Sequence, residues 1–379
     1  MDPMRILGTD QSEDWMAVLA QSCQHDFYHL PSYHALAESR GEGAARLFVY
    51  REGDCQIALP LLLRPVENSI GAESAGNGRM DATSVYGYAG PVASHAEVPA
   101  PVAENFRNAL RETLRTLGVV AVFSRLHPLI SQREILSGLG ECTSAGSTVS
   151  VDLTQPADVQ RTQFRSDHKR GINRALRRGL VAMEDTGKQH LQRFVEIYTQ
   201  TMRRVSATDY YFFEPEYFED LAARLGPAFR LFVILAGNDV ACAGIYAVCD
   251  GIIQYHLGGT HDDFLELAPM KLLTDTVRLW GNEHGCKVLH LGGGVGAQAD
   301  SLFHFKAGFS DRRHEFLLWR WVLDSQAYDE LCERHARRNA ENGLEWTSPD
   351  FFPQYRCPAV ALDRERVGAA TAAVVSAKK

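Results

Sequence analysis

A dense run of positive charge is the strongest chemical feature of the sequence. Residues 161–178 read RTQFRSDHKRGINRALRR and carry seven Lys or Arg against one acid, Asp167. Because these basic groups meet almost no competing carboxylate, we predict that the run binds phosphate groups of a substrate, through Lys169 among others. A solvated helix face is the alternative. As a helix, the run carries Arg170, Arg174, Arg177 and Arg178 on one face and Ile172, Ala175 and Leu176 on the other.

Two further segments have residues that suit ligand binding. The segment SVYGYAGPV (84–92) places Tyr86 and Tyr88 in a loop, where tyrosines offer flat contact area and a hydroxyl. A tight turn is the alternative for this loop. The segment LHLGGGVGA (289–297) places Gly293 at the end of a predicted strand, where the backbone can approach a ligand closely. We predict substrate contacts for all three residues.

Several common chemistries find no support in the sequence. The glycines after residue 291 do not follow G-x-G-x-x-G, so a Rossmann dinucleotide site is not predicted. His25 and His29 lie four residues apart without a third ligand at metal spacing, and the 8 cysteines form no C-x-x-C, so no metal site is predicted. The absence of G-x-S-x-G argues against a serine hydrolase.

The helices and strands that must position these residues are predicted from a sequence that is repeated within the chain. At an offset of 184 residues, nine of the 23 positions from 31 to 53 are identical to those from 215 to 237. Each copy predicts a short helix, a strand beginning RLFV, a turn and a second strand. The second copy continues with a strand at 252–260, a helix opened by Pro269, and a strand at 287–294. A helix at 301–309 and a strand at 314–323 complete an α/β fold with a mixed sheet.

Length and composition limit the class of protein. The 379 residues suffice for two to three domains with a substantial core. The formal net charge of −8 leaves no overall positive field, so any polyanion must meet a local patch. The start of the chain has no signal peptide, the apolar runs are too short to cross a membrane, and the scattered cysteines suit a reducing compartment. We therefore expect a cytoplasmic protein without membrane insertion.

Six segments, taken in their order and spacing, point to a known family. They are PLLLRP (60–65) and YGYAGP (86–91) in the first copy, and HKRGINRALRRGL (168–180), YHLGGTHDDFLELAPMKLL (255–273), GCKVLHLGGG (285–294) and SLFHFKAGF (301–309) later in the chain. Together they resemble the Fem-like branch of the GNAT acyltransferase superfamily, and the resemblance covers most of residues 12–322. This branch comprises peptidoglycan bridge-forming aminoacyltransferases and the relatives known as BioF2-like acetyltransferases.

The resemblance implies two fused GNAT-like domains with a cleft between them, in agreement with the repeat. We expect an N-terminal domain at 1–150, a C-terminal domain at 151–322, and a C-terminal helix and tail at 323–379. Members of this branch transfer an acyl or aminoacyl group to an amine, often from aminoacyl-tRNA.

Carried over position by position, the resemblance places Arg170, Arg174 and Lys306 at the acceptor cleft and reaction centre, with Tyr255 on the adjacent strand end. An aminoacyl ester is already activated, so the enzyme must align the reactants, remove a proton and stabilise the oxyanion. Lys306 would stabilise the oxyanion or anchor an acceptor carboxylate. Asp300 and His304 are candidate proton acceptors.

The sequence departs from the acyl-CoA branch of GNAT enzymes at one interval. In place of Q/R-x-x-G-x-G/A it has GGTHDDFLELAP (258–269), whose three acids would repel a pyrophosphate. We therefore predict an N-acyltransferase that uses aminoacyl-tRNA as co-substrate, a small-molecule or peptide amine as acceptor, and no other cofactor. An acyl-CoA donor is one alternative, and a catalytically silent pair of GNAT-like domains is another.

Overall fold

The computed structural model describes residues 4–66, 78–130 and 132–361. The tail at 369–379, which the sequence predicts to be frayed, lies outside these residues. The strands are β1 Met4–Leu7, β2 Ala44–Glu52, β3 Cys55–Pro65, β4 Met80–Thr83, β5 Val92–Ala93, β6 Val119–Arg125, β7 Glu141–Asp152, β8 Val181–Glu184, β9 Phe229–Ala236, β10 Asp239–Cys249, β11 Ile252–Thr260, β12 Val288–Gly292, β13 Arg312–Val322, β14 Leu344–Trp346 and β15 Ala359–Ala361. The α-helices are α1 Ser12–Leu19, α2 Pro31–Ser39, α3 Ala100–Thr116, α4 Ala157–Thr162, α5 Ser166–Arg177, α6 Leu191–Arg204, α7 Pro215–Leu225, α8 Pro269–Glu283, α9 Ser301–Lys306 and α10 Ser325–Glu341.

One mixed sheet of 13 strands runs through the described part of the chain. Its order is β1-β2-β3-β4-β6-β13-β7-β12-β11-β10-β9-β8, and β5 pairs with β3. The neighbours β4 and β6 run parallel, as do β11 and β12. In each half of the sheet, the parallel neighbours are therefore the fourth and fifth strands from the end. The predicted mixed α/β fold is confirmed.

The sequence repeat falls on equivalent places in this sheet. The two RLFV segments lie in β2 and β9, each the second strand from its end of the sheet. Each is preceded by a helix that begins with the repeated proline, α2 or α7, and proline suits the first helical position because its missing N–H needs no partner there. The two helices contact each other.

The strands at the centre of the sheet are interleaved. β13 pairs with β6 and β7, and β7 pairs with β12. The predicted boundary at residue 150 lies inside β7. The half of the sheet built from N-terminal strands ends with the C-terminal strand β13, and the other half begins with β7. The division into domains at 1–150, 151–322 and 323–379 stays a prediction.

A gap opens between β11 and β12. Their parallel pairing ends at Gln254 and His290, although β11 continues to Thr260. Two parallel strands that separate in mid-sheet expose backbone at the carboxyl end, which is where ligands bind in sheets of this kind. The gap positions the candidate site.

The basic run forms α5 as predicted, with one correction. His168, Ile172 and Ala175 are buried, whereas Leu176 is 54% exposed and does not belong to the inner face. The arginine face is exposed, and α5 packs against α8. None of the helices in the described ranges is long and apolar enough to cross a membrane.

Candidate active site

Lys306 is the last residue of α9, and the helix start determines its place. Asp300 caps α9 by accepting a hydrogen bond from the Phe303 N–H at 2.8 Å, and its other oxygen accepts one from the Val295 N–H at 3.0 Å. The short helix then carries Lys306 back to the glycine cluster after β12. The Lys306 side chain donates a 2.6 Å hydrogen bond from Nζ to the carbonyl oxygen of Gly293.

Burial determines the protonation chemistry of this lysine. Lys306 is only 7% exposed, and desolvation lowers the pKa of its ammonium from 10.5 to about 7, against an opposing effect from Asp300. The ammonium also lies 5.4 Å from the centre of the Tyr255 ring, within the range of a cation–π interaction. A lysine with such a pKa can hold a positive charge near neutral pH and can also release its proton there.

The loop that carries Tyr86 and Tyr88 also reaches the glycine cluster beside Lys306. Gly292 has φ +74°, and a Cβ atom placed on it would lie 3.5 Å from Lys306 Nζ and 3.5 Å from the Tyr88 hydroxyl oxygen. Burial raises the pKa of Tyr88 to about 12, so this hydroxyl keeps its proton at neutral pH. The structure therefore brings Tyr88, Gly293, Tyr255 and Lys306 together.

A pocket of about 230 Å³ opens beside Lys306. It lies in the gap between β11 and β12 and extends to the helices α6, α8 and α9. The lining residues are Thr201, Arg204, Tyr255, Gly258, Gly259, Thr260, Met270, Thr274, Leu291, Leu302, Phe305 and Lys306.

The basic helix α5 lies next to the lysine-bearing helix. Arg165 donates a hydrogen bond to the His304 carbonyl oxygen, and His168 Nε2 lies 2.9 Å from the Phe305 carbonyl oxygen. Arg170 is exposed on the free face of α5. Phosphates bound along this face would therefore lie beside the helix that presents Lys306.

The other predicted site residues have local partners. Lys169 Nζ donates to the Thr162 carbonyl oxygen at 3.0 Å, and Arg174 Nη2 donates to the Glu266 carbonyl oxygen at 3.4 Å. Both hydrogen bonds are at the surface and leave the positive charges free to meet a phosphate.

Two residues predicted for the site do not act as expected: Tyr86 lies outside the pocket at Lys306, and Asp300 caps a helix. The Tyr86 ring packs 6.0 Å from that of His256 and 5.7 Å from that of Tyr210, in an aromatic cluster outside the lysine pocket. Asp300 uses both carboxylate oxygens as acceptors for backbone N–H groups, which is the role of a helix cap.

The interval 258–269, where the sequence departs from the acyl-CoA pattern, contains the end of β11, a 3-10 helix at Asp262–Leu267 and the first residue of α8. Asp262 forms an ion pair with Arg204 of α6, while Asp263 and Glu266 are exposed. The segment therefore presents carboxylates beside the N-terminus of α8.

Sequence reasoning missed a buried polar cluster on the sheet face where the two copies meet. Asp26 accepts a 3.0 Å hydrogen bond from His127 Nε2, and both side chains are completely buried. His290 Nδ1 lies 2.6 Å from the Gln254 side-chain oxygen, and burial lowers the pKa of His290 well below its ordinary value. The contributing residues are up to 264 positions apart, so no local motif could reveal them. Within the described ranges, no three His, Cys, Asp or Glu side chains are grouped to hold a metal ion.

Comparisons with known proteins agree with this geometry. Residues 162–306 match the family model of the acetyltransferase (GNAT) domain, which includes α5, the β11–β12 gap and Lys306. No curated protein sequence matches the chain. The prediction of an N-acyltransferase is confirmed at the level of this domain family.

Solved structures share the fold of nearly the whole chain. The crystal structure of FemX superimposes with a TM-score of 0.64 at 14% identity, over 86% of this chain and 99% of FemX. The C-terminal domain of a putative lysylphosphatidylglycerol synthetase from Agrobacterium fabrum gives 0.51 at 14% identity, over 82% of this chain and 91% of that chain. L-PGS from Bacillus licheniformis gives 0.50 at 15% identity, over 83% of this chain and 93% of that chain. Residues 162–306 thus match the GNAT acetyltransferase domain, and 86% of the chain shares the fold of FemX.

Proposed function

We propose that this GNAT acyltransferase moves an aminoacyl group from aminoacyl-tRNA to an amine. The observation that carries the proposal is the position of Lys306. Its ammonium is buried where β11 and β12 separate, beside a pocket large enough for an acyl group. An ester carbonyl held there would place its oxygen next to the Lys306 ammonium.

The reaction needs few groups from the protein. The acceptor nitrogen attacks the ester carbonyl carbon, and the carbonyl oxygen becomes an oxyanion that the Lys306 ammonium stabilises. Collapse of this intermediate breaks the bond to the ribose oxygen, which takes the proton that the nitrogen loses. The products are an amide and a tRNA with a free ribose hydroxyl, so atoms and charges balance without a redox or metal step.

Several side chains could carry the proton. The Tyr88 hydroxyl and Lys306 Nζ both lie close to Gly292, and the exposed His304 is on the same helix as Lys306. Asp300 supports the charge of Lys306 and caps α9, so in this proposal it positions the lysine and does not itself take the proton.

The basic helix α5 supports a tRNA donor. Its exposed arginines lie beside α9, so a polyanion bound along α5 would deliver its acylated end to the pocket. The exposed Asp263 and Glu266 would repel a pyrophosphate at the position used by acyl-CoA in other GNAT enzymes. The second candidate donor is an acyl-CoA, which the description of the matching family as acetyltransferases favours.

A label-transfer experiment distinguishes the two donors. Purified protein is incubated with total tRNA charged with a mixture of radiolabelled amino acids, or with labelled acetyl-CoA, and a low-molecular-weight cell extract supplies the acceptor amines. We expect base-stable labelled product from the charged tRNA, and no product after the tRNA is treated with ribonuclease. Label from acetyl-CoA alone would select the second candidate, and no label from either donor would refute acyl transfer.

A further inference from the structure

The pocket beside Lys306 has one polar end and one apolar wall. Lys306 and the Tyr255 ring form the polar end, close to the expected carbonyl. The apolar wall consists of four side chains from α8, β12 and α9, namely Met270, Leu291, Leu302 and Phe305. An acyl group that enters carbonyl first would lay its side chain against this wall.

Charge is distributed unequally around the pocket. Its lining, drawn entirely from described residues, has no carboxylate side chain, whereas it includes Lys306 and Arg204. Arg204 is already neutralised by its ion pair with Asp262 and also donates to the Thr260 carbonyl oxygen at 3.2 Å. A cationic acyl side chain would therefore lose its hydration beside a buried ammonium and find no counter-charge.

The pocket has room for more than a methyl group. Its volume of about 230 Å³ is several times the ~30 Å³ that one water molecule occupies in the liquid. Two glycines of β11 allow close packing beside the pocket. A Cβ on Gly258 would lie 2.3 Å from the Tyr255 hydroxyl of the same strand, and one on Gly259 would lie 2.9 Å from the Ile197 carbonyl oxygen of α6.

We propose that this pocket selects the donor by its acyl group and takes acyl groups whose side chain is uncharged and mainly apolar. In the aminoacyl series leucyl and methionyl groups fit this description, while lysyl and arginyl groups are rejected for the charge of their side chains. Glycyl groups bind poorly because they leave the apolar wall uncovered. The inference rests on the proposed acyl transfer and adds its substrate class.

The test compares single aminoacyl donors. Purified protein is given tRNA charged with leucine, methionine, lysine or glycine in separate reactions with the same extract of acceptor amines. We expect leucyl and methionyl transfer to exceed lysyl transfer by about 100-fold or more, because an unpaired buried charge is strongly excluded. We expect glycyl transfer to be slower than leucyl transfer by about tenfold or more.

A pair of matched variants tests whether the pocket itself makes this choice. Met270 is half-buried near the N-terminus of α8, where a carboxylate is well tolerated, so Met270→Glu should fold. Met270→Gln has the same length without the charge. We expect Met270→Glu to raise the ratio of lysyl to leucyl transfer by about tenfold or more, and Met270→Gln to leave that ratio within about threefold of the unmodified protein.

The outcomes separate this inference from the proposed function. Lysyl transfer equal to leucyl transfer, or a ratio that both Met270 variants change alike, would overturn the selection by charge while acyl transfer stands. No transfer from any charged tRNA would refute the proposed donor and the inference with it.

Discussion

Replacing Lys306 by Met removes a buried positive charge and keeps the length and the apolar stem of the side chain. Lys306 is 7% exposed, and burial lowers the pKa of its ammonium from 10.5 to about 7. The unfolded chain holds this proton up to about pH 10.4, the ordinary value for lysine. The folded protein releases it above pH 7, so the two states differ in proton binding between these limits.

The sign and the size of the effect follow from this difference. Below pH 7 both states hold the proton, so the folded protein bears the full cost of the buried charge and the Met variant is the more stable. Above pH 7 the unfolded state binds more protons, so the stability of the unmodified protein rises with pH relative to the variant. Since each unit of pKa corresponds to about 1.4 kcal/mol, the fall from 10.5 to about 7 corresponds to about 5 kcal/mol. Between pH 7 and pH 9, the advantage of the variant should shrink by about 2 kcal/mol.

Urea unfolding at several pH values measures this difference. The free energy of unfolding is determined at pH 6, 7, 8 and 9 for the unmodified protein, for Lys306→Met and for Lys287→Met, with a reductant present because the cysteines are free. Lys287 is exposed, so its replacement should give a difference that does not depend on pH. A pH-independent difference for Lys306→Met as well would show that the Lys306 ammonium is not desolvated and would refute the reasoning.

Three further changes test other parts of the account. Replacing Arg170 and Arg174 together by Ala should lower the slope of log affinity for tRNA against log salt concentration by about one for each lost phosphate contact; an unchanged slope with normal folding would return α5 to a solvated surface helix. Replacing Asp81 by Asn should lower the free energy of unfolding by about 3 kcal/mol, because this fully buried carboxylate pairs with Arg64 and Arg356; a loss below about 1 kcal/mol in urea would contradict the importance of the pair. Replacing Tyr88 by Phe should slow acyl transfer about tenfold with little change in KM, because its hydroxyl lies near Lys306; an unchanged kcat would remove Tyr88 from the reaction centre.

Much of the local structure was predictable because local rules determine it. Alternating and glycine-terminated patterns located β11 at Ile252–Thr260, and Pro269 correctly marked the start of α8. Lys306, which the resemblance placed at the reaction centre, is buried. The basic run is a helix with an exposed arginine face, although Leu176 lies outside its buried side.

The remaining features depend on contacts between distant segments. The pairing of β13 with β6 and β7 joins residues far apart in sequence, and nothing in the strand sequences specifies those neighbours. Thr201 and Arg204 reach the pocket from α6, whose amphipathic pattern indicates only a surface helix. The two roles of the Asp300 oxygens also required three-dimensional geometry, because a carboxylate before a helix can be either a cap or a base.

The rate of acyl transfer by Lys306→Met tests the central claim most directly. Labelled aminoacyl-tRNA and the extract of acceptor amines are supplied at pH 7 to the unmodified protein, to Lys306→Met and to the control Lys287→Met, with folding of each checked by urea unfolding. The loss of one electrostatic contact with the oxyanion should slow transfer by about 100-fold, while Lys287→Met should transfer at the unmodified rate. A folded Lys306→Met protein whose rate stays within about threefold of the unmodified protein would contradict the assignment of the reaction centre to this lysine.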